Sequence, residues 1–241
     1  MKYKYLYGPV HSRRLGLSLG ISLIPHKVCN FDCLYCQLGK TPKKFTTRDA
    51  YNPAEGIVEE LKTWLLDPAH EPQKLSFITL AGTGEPTLHL HIAEIIAAIK
   101  KISMLPVAVI TNASLLDNPQ VRESLLAAAL IVPSLDAVDE ELFIKINRPA
   151  EGIKLTRIIE GLIKLRKEFK GQIWLEIMLV KGINDTDKHI YALKEIVQRI
   201  NPDRIQLNSP VRTTAEEGVL SVEKERLKAI KEILGPKCEI V

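Results

Sequence analysis

Short apolar runs alternate with longer amphipathic stretches along most of the chain. Residues 19–24, 75–81, 107–111, 130–134, 173–180 and 204–207 are mostly apolar and short enough for strands. Each is a near-continuous run rather than an apolar–polar alternation, which is how a strand covered on both faces reads. Between them, residues 52–66, 90–101, 119–129, 139–146, 154–169, 186–200 and 221–234 carry apolar positions at helical spacing. In the second of these Ile92, Ile95, Ile96 and Ile99 share a face. Asn52-Pro53 supplies an N-cap and a proline at the first helical position. Asn147-Arg148-Pro149 breaks the 139–169 region in two.

Strands alternating with helices predict an α/β fold, a parallel sheet covered by helices. Six such units fall short of the eight of a complete barrel. Periodicity alone does not separate a partial barrel from an open doubly wound sheet. No shift of composition marks a second domain. Residues 1–241 read as one domain, with a basic extension over 1–18 and a closing helix and tail over 221–241. The turn-rich stretch from Gly8 to Gly16 reads as a loop leading into the first strand, and residues 40–52 as a polar excursion over the surface.

Composition adds compartment and charge. Hydrophobic residues make up 46% and charged residues 26%, the balance of an ordinary globular protein. No apolar run reaches membrane-spanning length, and Met1-Lys2-Tyr3-Lys4-Tyr5 lacks a signal-peptide core, so a cytoplasmic protein is expected, without a membrane partner. The net charge of +4 is unevenly spread. Residues 1–48 hold nine Lys/Arg against Asp32 alone, whereas the remainder holds 24 Lys/Arg and 28 Asp/Glu. That excess suits an anionic substrate, a nucleic acid or an acidic electron donor, and equally suits a solvated lysine-rich surface.

Three of the four cysteines fall within Cys29-Asn30-Phe31-Asp32-Cys33-Leu34-Tyr35-Cys36, and the fourth, Cys238, lies near the far end. Three thiolates on one loop can bind three corners of an iron–sulfur cube, which four cysteines normally hold. One iron is then open to a small molecule, as in open catalytic metal sites. Zinc is the rival, because His26 stands three residues before Cys29 and completes a His-Cys-Cys-Cys set. A disulfide framework fits neither the odd cluster nor the expected compartment.

In parallel α/β folds the chemistry gathers at the carboxyl ends of the strands. The cysteine loop follows the first strand. After the second comes Gly82-Thr83-Gly84-Glu85-Pro86-Thr87, where glycines allow close backbone approach and Glu85 offers a carboxylate. Thr111-Asn112-Ala113 follows the third strand and Pro133-Ser134-Leu135-Asp136 the fourth. Ser and Asp at such places are also common helix caps. The fifth strand carries Glu176, and the sixth leads into Gln206-Leu207-Asn208-Ser209-Pro210 and Arg212. His89 and His91 offer metal-ligand chemistry, but two isolated histidines at a helix start read rather as surface or cap residues.

The cysteine loop, with Tyr35 before its last cysteine, resembles the signature of the radical S-adenosylmethionine (SAM) enzymes, and the likeness runs over nearly the whole chain. The resemblance implies a partial (β/α)6 TIM-like barrel, open at the side where substrate enters. It implies a [4Fe–4S] cluster on Cys29, Cys33 and Cys36, with SAM chelating the fourth iron. The reduced cluster then cleaves SAM to a 5′-deoxyadenosyl radical that abstracts hydrogen from substrate. Residues 82–87 match the family's Gly-Gly-Glu motif, with Ala81 in place of one glycine, so Gly82, Gly84, Glu85 and Pro86 are expected at the SAM amino group. Tyr35, Asn112, Ser134 and Asp136 are expected beside SAM, and Asn208 and Arg212 are candidate catalytic residues. A small reducing electron donor of the flavodoxin or ferredoxin type is implied.

Gly-Pro-Val-x-Ser-Arg-Arg-Leu-Gly at residues 8–16 is similar to that of compact members grouped with the tRNA wyosine-synthesis enzymes. Those enzymes hold a second Fe–S cluster on upstream cysteines, and none occurs here before Cys29. The leading reading is a radical SAM enzyme of unassigned substrate. The competing readings are tRNA-base modification, a glycyl-radical activase, and a non-catalytic zinc or Fe–S protein. The basic segment frames one further expectation: Arg13, Arg14, Lys40, Lys43 and Lys44 as a phosphate-binding rim.

Overall fold

A computed structural model describes residues 3–241. Met1 and Lys2, the first residues of the basic segment and of the stretch scanned for a signal peptide, lie outside the described residues. The chain runs β1 (Leu6–Ser12), β2 (Gly16–Ile21), α1 (Ala54–Leu66), β3 (Phe77–Leu80), α2 (Ile92–Ile102), β4 (Val107–Thr111), α3 (Pro119–Leu125) and β5 (Leu130–Pro133). It continues with α4 (Glu140–Asn147), α5 (Leu155–Glu168), β6 (Gln172–Met178), α6 (Asp187–Ile200), β7 (Arg204–Asn208), α7 (Lys224–Leu234) and β8 (Cys238–Ile240). The strands lie in chain order in one sheet. β1 pairs antiparallel with β2, and every later pair is parallel. The sheet curls into a partial barrel with helices outside it.

The continuous apolar runs have a simple cause. Successive strand residues face opposite sides, and here both sides are covered. Val107 and Val109 of β4, Ile131 of β5 and Ile173 and Leu175 of β6 join the large outer core beneath the helices. Their neighbours Ala108, Leu130, Val132 and Trp174 form a second cluster inside the curl, with Leu15, Phe77 and Ile110. Ile92, Ile95, Ile96 and Ile99 of α2 are fully buried, as their spacing predicts. Each contributes roughly 1.5–3 kcal/mol of burial free energy.

The lower part of the inner face is mostly apolar, apart from the buried Ser18–Thr79 hydroxyl pair and Gln206. Toward the carboxyl ends the face becomes polar: Ser22, Asn112, Ser134, Glu176 and Asn208 follow the inward register of their strands. Such a change along one face floors a cavity with apolar packing and leaves hydrogen-bonding groups at its mouth.

Several boundaries differ from the sequence reading. The stretch read as a loop before the first strand is itself β1, joined to β2 in a hairpin; its middle residues are exposed and carry no apolar pattern to read. A Cβ at Gly20 would overlap the Tyr7 ring, so the hairpin closes because Gly20 has none. The tail forms β8, whose three residues bury only Cys238 and are too short for a periodicity signal. β2 ends at Ile21, and α7 begins at Lys224. Asn52 does not cap α1: Pro53 takes the cap position, and Asn52 Nδ2 donates to the Ser22 carbonyl at 3.1 Å. Among the described residues no helix is long and apolar enough to cross a membrane.

Candidate cofactor site

The cysteine loop leaves β2 and is held by three neighbouring segments. Its stem pairs with the turn after β3: Lys27 N–H donates to Thr83 O at 2.6 Å, Glu85 N–H to Val28 O at 3.0 Å, and Thr83 Oγ1 to Ile24 O at 2.6 Å. A Cβ at Gly84 would overlap the Val28 carbonyl, so this glycine serves the approach of one chain segment to another. Gly82 sits at φ +114°, where a side chain is strained. Pro86 opens a short 3-10 turn over Pro86–Leu88. On its other side the loop docks on the end of α4, with Asp32 N–H to Asn147 O at 3.0 Å and Leu34 N–H to Ile146 O at 2.9 Å. Phe45 N–H to Cys29 O at 2.9 Å closes the third edge.

This clamp leaves the three thiols partly exposed and gives each sulfur a nitrogen neighbour. Phe31 N–H and Asn112 Nδ2 lie 3.5 and 3.7 Å from Cys29 Sγ. Asn147 Nδ2 is 3.5 Å from Cys33 Sγ and Lys27 Nζ 3.3 Å from Cys36 Sγ. Burial first, then the nearby Glu85 carboxylate, pushes the Cys29 thiol up to about 12. Burial and Asp136 raise Cys33 well above its ordinary value, and the neighbouring sulfurs add to both shifts. Three thiols on one loop, each beside a nitrogen donor, present the kind of donor set that soft metals take. Cys238, on β8, is buried and pushed up to about 12 by that burial.

Glu85 is 2% exposed. Its Oε1 accepts from Thr87 N–H at 3.0 Å, Thr87 Oγ1 at 2.6 Å and Thr111 Oγ1 at 2.6 Å, while Oε2 accepts from Asn112 N–H at 2.7 Å. A carboxylate has about four acceptor sites. The side chain therefore ties the end of β4 to the turn after β3 and sets the place of Asn112. Burial raises its pKa against these donors.

Asp136 receives Tyr35 OH at 2.5 Å and Asn147 Nδ2 at 2.7 Å on Oδ2, and Met178 N–H at 2.9 Å on Oδ1. Burial pushes it up to about 6 despite these bonds, with Glu176 adding to the shift. Tyr35, Asn112, Ser134, Asp136, Asn147 and Phe31 line one small cleft against the cysteine loop. The folded-state pKa of Asp136 lies above the usual carboxylate value near 4, so the folded state holds the extra proton between these limits. Stability from this group is greatest below pH ~4 and falls as pH rises to about 6, by about 3 kcal/mol. Asp136→Asn carries no charge. Its stability relative to wild type should therefore improve across that window in denaturant unfolding followed against pH; a flat difference would refute the buried-charge account.

Asn208 and Arg212 do not share a place. Asn208 is buried inside the barrel, with Nδ2 donating to Glu176 Oε1 at 2.9 Å. Arg212 is exposed and donates to Gln37 Oε1 at 2.9 Å at the rim of the cysteine loop. The expected phosphate rim is also divided. Arg13 and Arg14 turn to Asn208 and Glu176, Lys40 pairs with Glu216, and Lys44 Nζ donates to Pro149 O. Lys27, Asn30, Ser114 and Asn147 escaped the sequence reading. None of the four carried a local signal: Lys27 is one of nine Lys/Arg in residues 1–48. Asn30 and Ser114 are linked at 2.7 Å across 84 residues of chain.

A family model described as the radical SAM superfamily matches residues 23–193. A protein of Brachyspira hyodysenteriae named GTPase Obg is 40% identical over 240 residues; the match takes in 100% of this chain but only 35% of that protein's length. No Gly-x-x-x-x-Gly-Lys-Ser/Thr phosphate loop occurs in the present sequence. A UPF0026 protein of Methanocaldococcus jannaschii is 34% identical over 98% of this chain and 71% of its own length. Among solved structures, TYW1 with a lysine–pyruvate adduct bound aligns at a TM-score of 0.67 and 20% identity, over 90% of this chain and 72% of that one. The likeness is one of fold.

Proposed function

Because the chain belongs to the radical SAM superfamily, we propose that Cys29, Cys33 and Cys36 hold the [4Fe–4S] cluster that this family uses and that the cleft beside them seats SAM. The observation that carries the assignment is the cysteine loop itself, whose three sulfurs each lie 3.3–3.7 Å from a nitrogen donor. When bound and reduced, the cluster and SAM supply a 5′-deoxyadenosyl radical that takes hydrogen from substrate, the hard chemistry belonging to the cofactors.

The chain's own residues orient and tune. N–H donors at thiolate sulfurs withdraw electron density and raise the potential of an Fe–S centre. Lys27 does the same at Cys36 with a full charge, and its Nζ is fixed by Gly39 O at 2.6 Å. Asn112 and Asn147 each touch a sulfur and also line the cleft, so they couple the two halves of the site. Tyr35, Ser134 and Asp136 offer polar groups to a ribose or an amino acid moiety. Glu85 acts by holding Asn112. A zinc reading needs His26 among the thiols, but His26 is exposed.

Radical SAM enzymes need an electron donor, and the exposed lysines beside this loop suit a small acidic protein of the flavodoxin or ferredoxin type. The test is anaerobic reconstitution with iron and sulfide. About four irons per chain, broad visible absorption and release of 5′-deoxyadenosine from SAM under reductant are expected. Tight zinc binding without SAM cleavage would sink the reading.

A further inference from the structure

The inner face of the barrel carries a charged group that the cofactor site does not use. Arg14 stands in the β1–β2 turn, beside Leu15, and its side chain reaches inward to Glu176. Its Nη1 donates to Glu176 Oε2 at 2.5 Å, and the pair is 26% and 7% exposed. Among the described residues its Nε and Nη2 have no partner, although a guanidinium presents five N–H donors in a planar fork. The edge formed by Nε and Nη2 is therefore left for a further acceptor.

Two further polar side chains, Tyr7 and Ser22, stand on the same inner face. Tyr7 lies near enough for the Arg14 charge to act on it, and its hydroxyl has no partner among the described residues. Burial holds that hydroxyl protonated, with a pKa pushed up to about 12, so it remains a donor. Tyr7 and Ser22 converge at Gly82, where a Cβ would stand 2.5 Å from Ser22 Oγ and 2.9 Å from Tyr7 Cε1. Glu176 O accepts from Leu135 N–H at 2.9 Å, which sets the partner of Arg14 beside the cleft that Leu135 lines. Asn208 spans Glu176 and Arg13, fixing the acidic side at 2.9 and 3.0 Å.

We propose that the free edge of Arg14, with the Tyr7 hydroxyl, binds an anionic group of a small-molecule substrate, a carboxylate or a phosphate, on the inner face of the barrel beside the cofactor cleft. This rests on the radical SAM reading of the cysteine loop. Glu176 keeps its bond to Nη1 and holds the guanidinium in register, and the bound anion takes the opposite edge bidentately. The substrate on this view enters the barrel rather than lying across its surface lysines.

The experiment uses the anaerobically reconstituted protein with two probes, inorganic phosphate and succinate, titrated by calorimetry at fixed ionic strength. Iron content and SAM binding of the same wild-type preparation are measured first, so a failure of the parent reading shows before any probe is added. Saturable binding of one probe is expected, and which probe binds separates phosphate from carboxylate. Arg14→Lys keeps the charge but loses the fork, and should weaken that binding tenfold or more. Tyr7→Phe should weaken it severalfold and decides the matter if Arg14→Lys does not fold. No saturable binding of either probe, or affinities unchanged in these variants, overturns the proposal. So does binding that falls in Lys43→Ala instead, which would place the anion on the surface.

Discussion

Replacing Cys29, Cys33 or Cys36 singly by alanine is expected to strip the protein of its cluster. Reconstituted iron should drop from about four per chain to below one, and SAM cleavage should fall by roughly two orders of magnitude or more. Three thiols are the whole local cysteine set, so losing one leaves two corners. Cys238 sits on β8, 3% exposed and packed in the outer core, with its thiol held protonated by burial. Cys238→Ala should therefore retain iron and cleavage at a modest stability cost. Iron analysis, visible absorption and 5′-deoxyadenosine release test all four variants. A cluster that survives in Cys33→Ala, or disappears in Cys238→Ala, would show that the assignment is wrong.

The second large effect is expected at Glu85. Truncation to alanine strands four donors in a site that is 2% exposed, and the loss should be on the order of 3 kcal/mol. Glu85→Gln keeps one acceptor oxygen but turns an amide N–H₂ toward one of the donors, so it should lie between wild type and alanine. Because Asn112 N–H bonds Oε2 and Asn112 Nδ2 lies near Cys29 Sγ, stability and SAM affinity should decline together. Unfolding in urea and SAM binding by equilibrium dialysis separate the two roles. Weakened SAM binding at unchanged stability would make Glu85 a direct ligand that gives up its Asn112 bond when SAM binds. Reduced stability at unchanged SAM affinity would leave it a purely structural acceptor.

Lys27 and Asn147 show where sequence reasoning stops. Both touch a cysteine sulfur, yet Asn147 is 111 positions beyond Cys36, and Lys27 looks like any other cation in a basic segment. Nothing local distinguishes them. Lys27 adopts φ 62°, and that left-handed residue swings its side chain under the loop to Gly39 O. Asn147 is the last residue of α4, where Arg148 at φ 44° ends the helix and releases the chain toward Phe31. The Asn147-Arg148-Pro149 break was visible in the sequence; its use as a docking edge for the cysteine loop was not.

Features that depend on neighbours along the chain are legible without the fold. Near-continuous apolar runs follow from strands covered on both faces, the isoleucine face of α2 follows from helical spacing, and three cysteines in eight residues can meet one cluster without help from the fold. Contacts between groups distant in sequence came from the fold instead. Exposed β1 became a strand because β2 offered it an edge and Gly20 made room for Tyr7. Glu85 became a fourfold acceptor because β4 ends beside the turn after β3. Arg14 met Glu176 across 162 residues because the sheet curls and brings the hairpin turn to the inner face of β6. A hydrogen bond or ion pair is a matter of a few ångströms and an angle, and the closing of the barrel sets both.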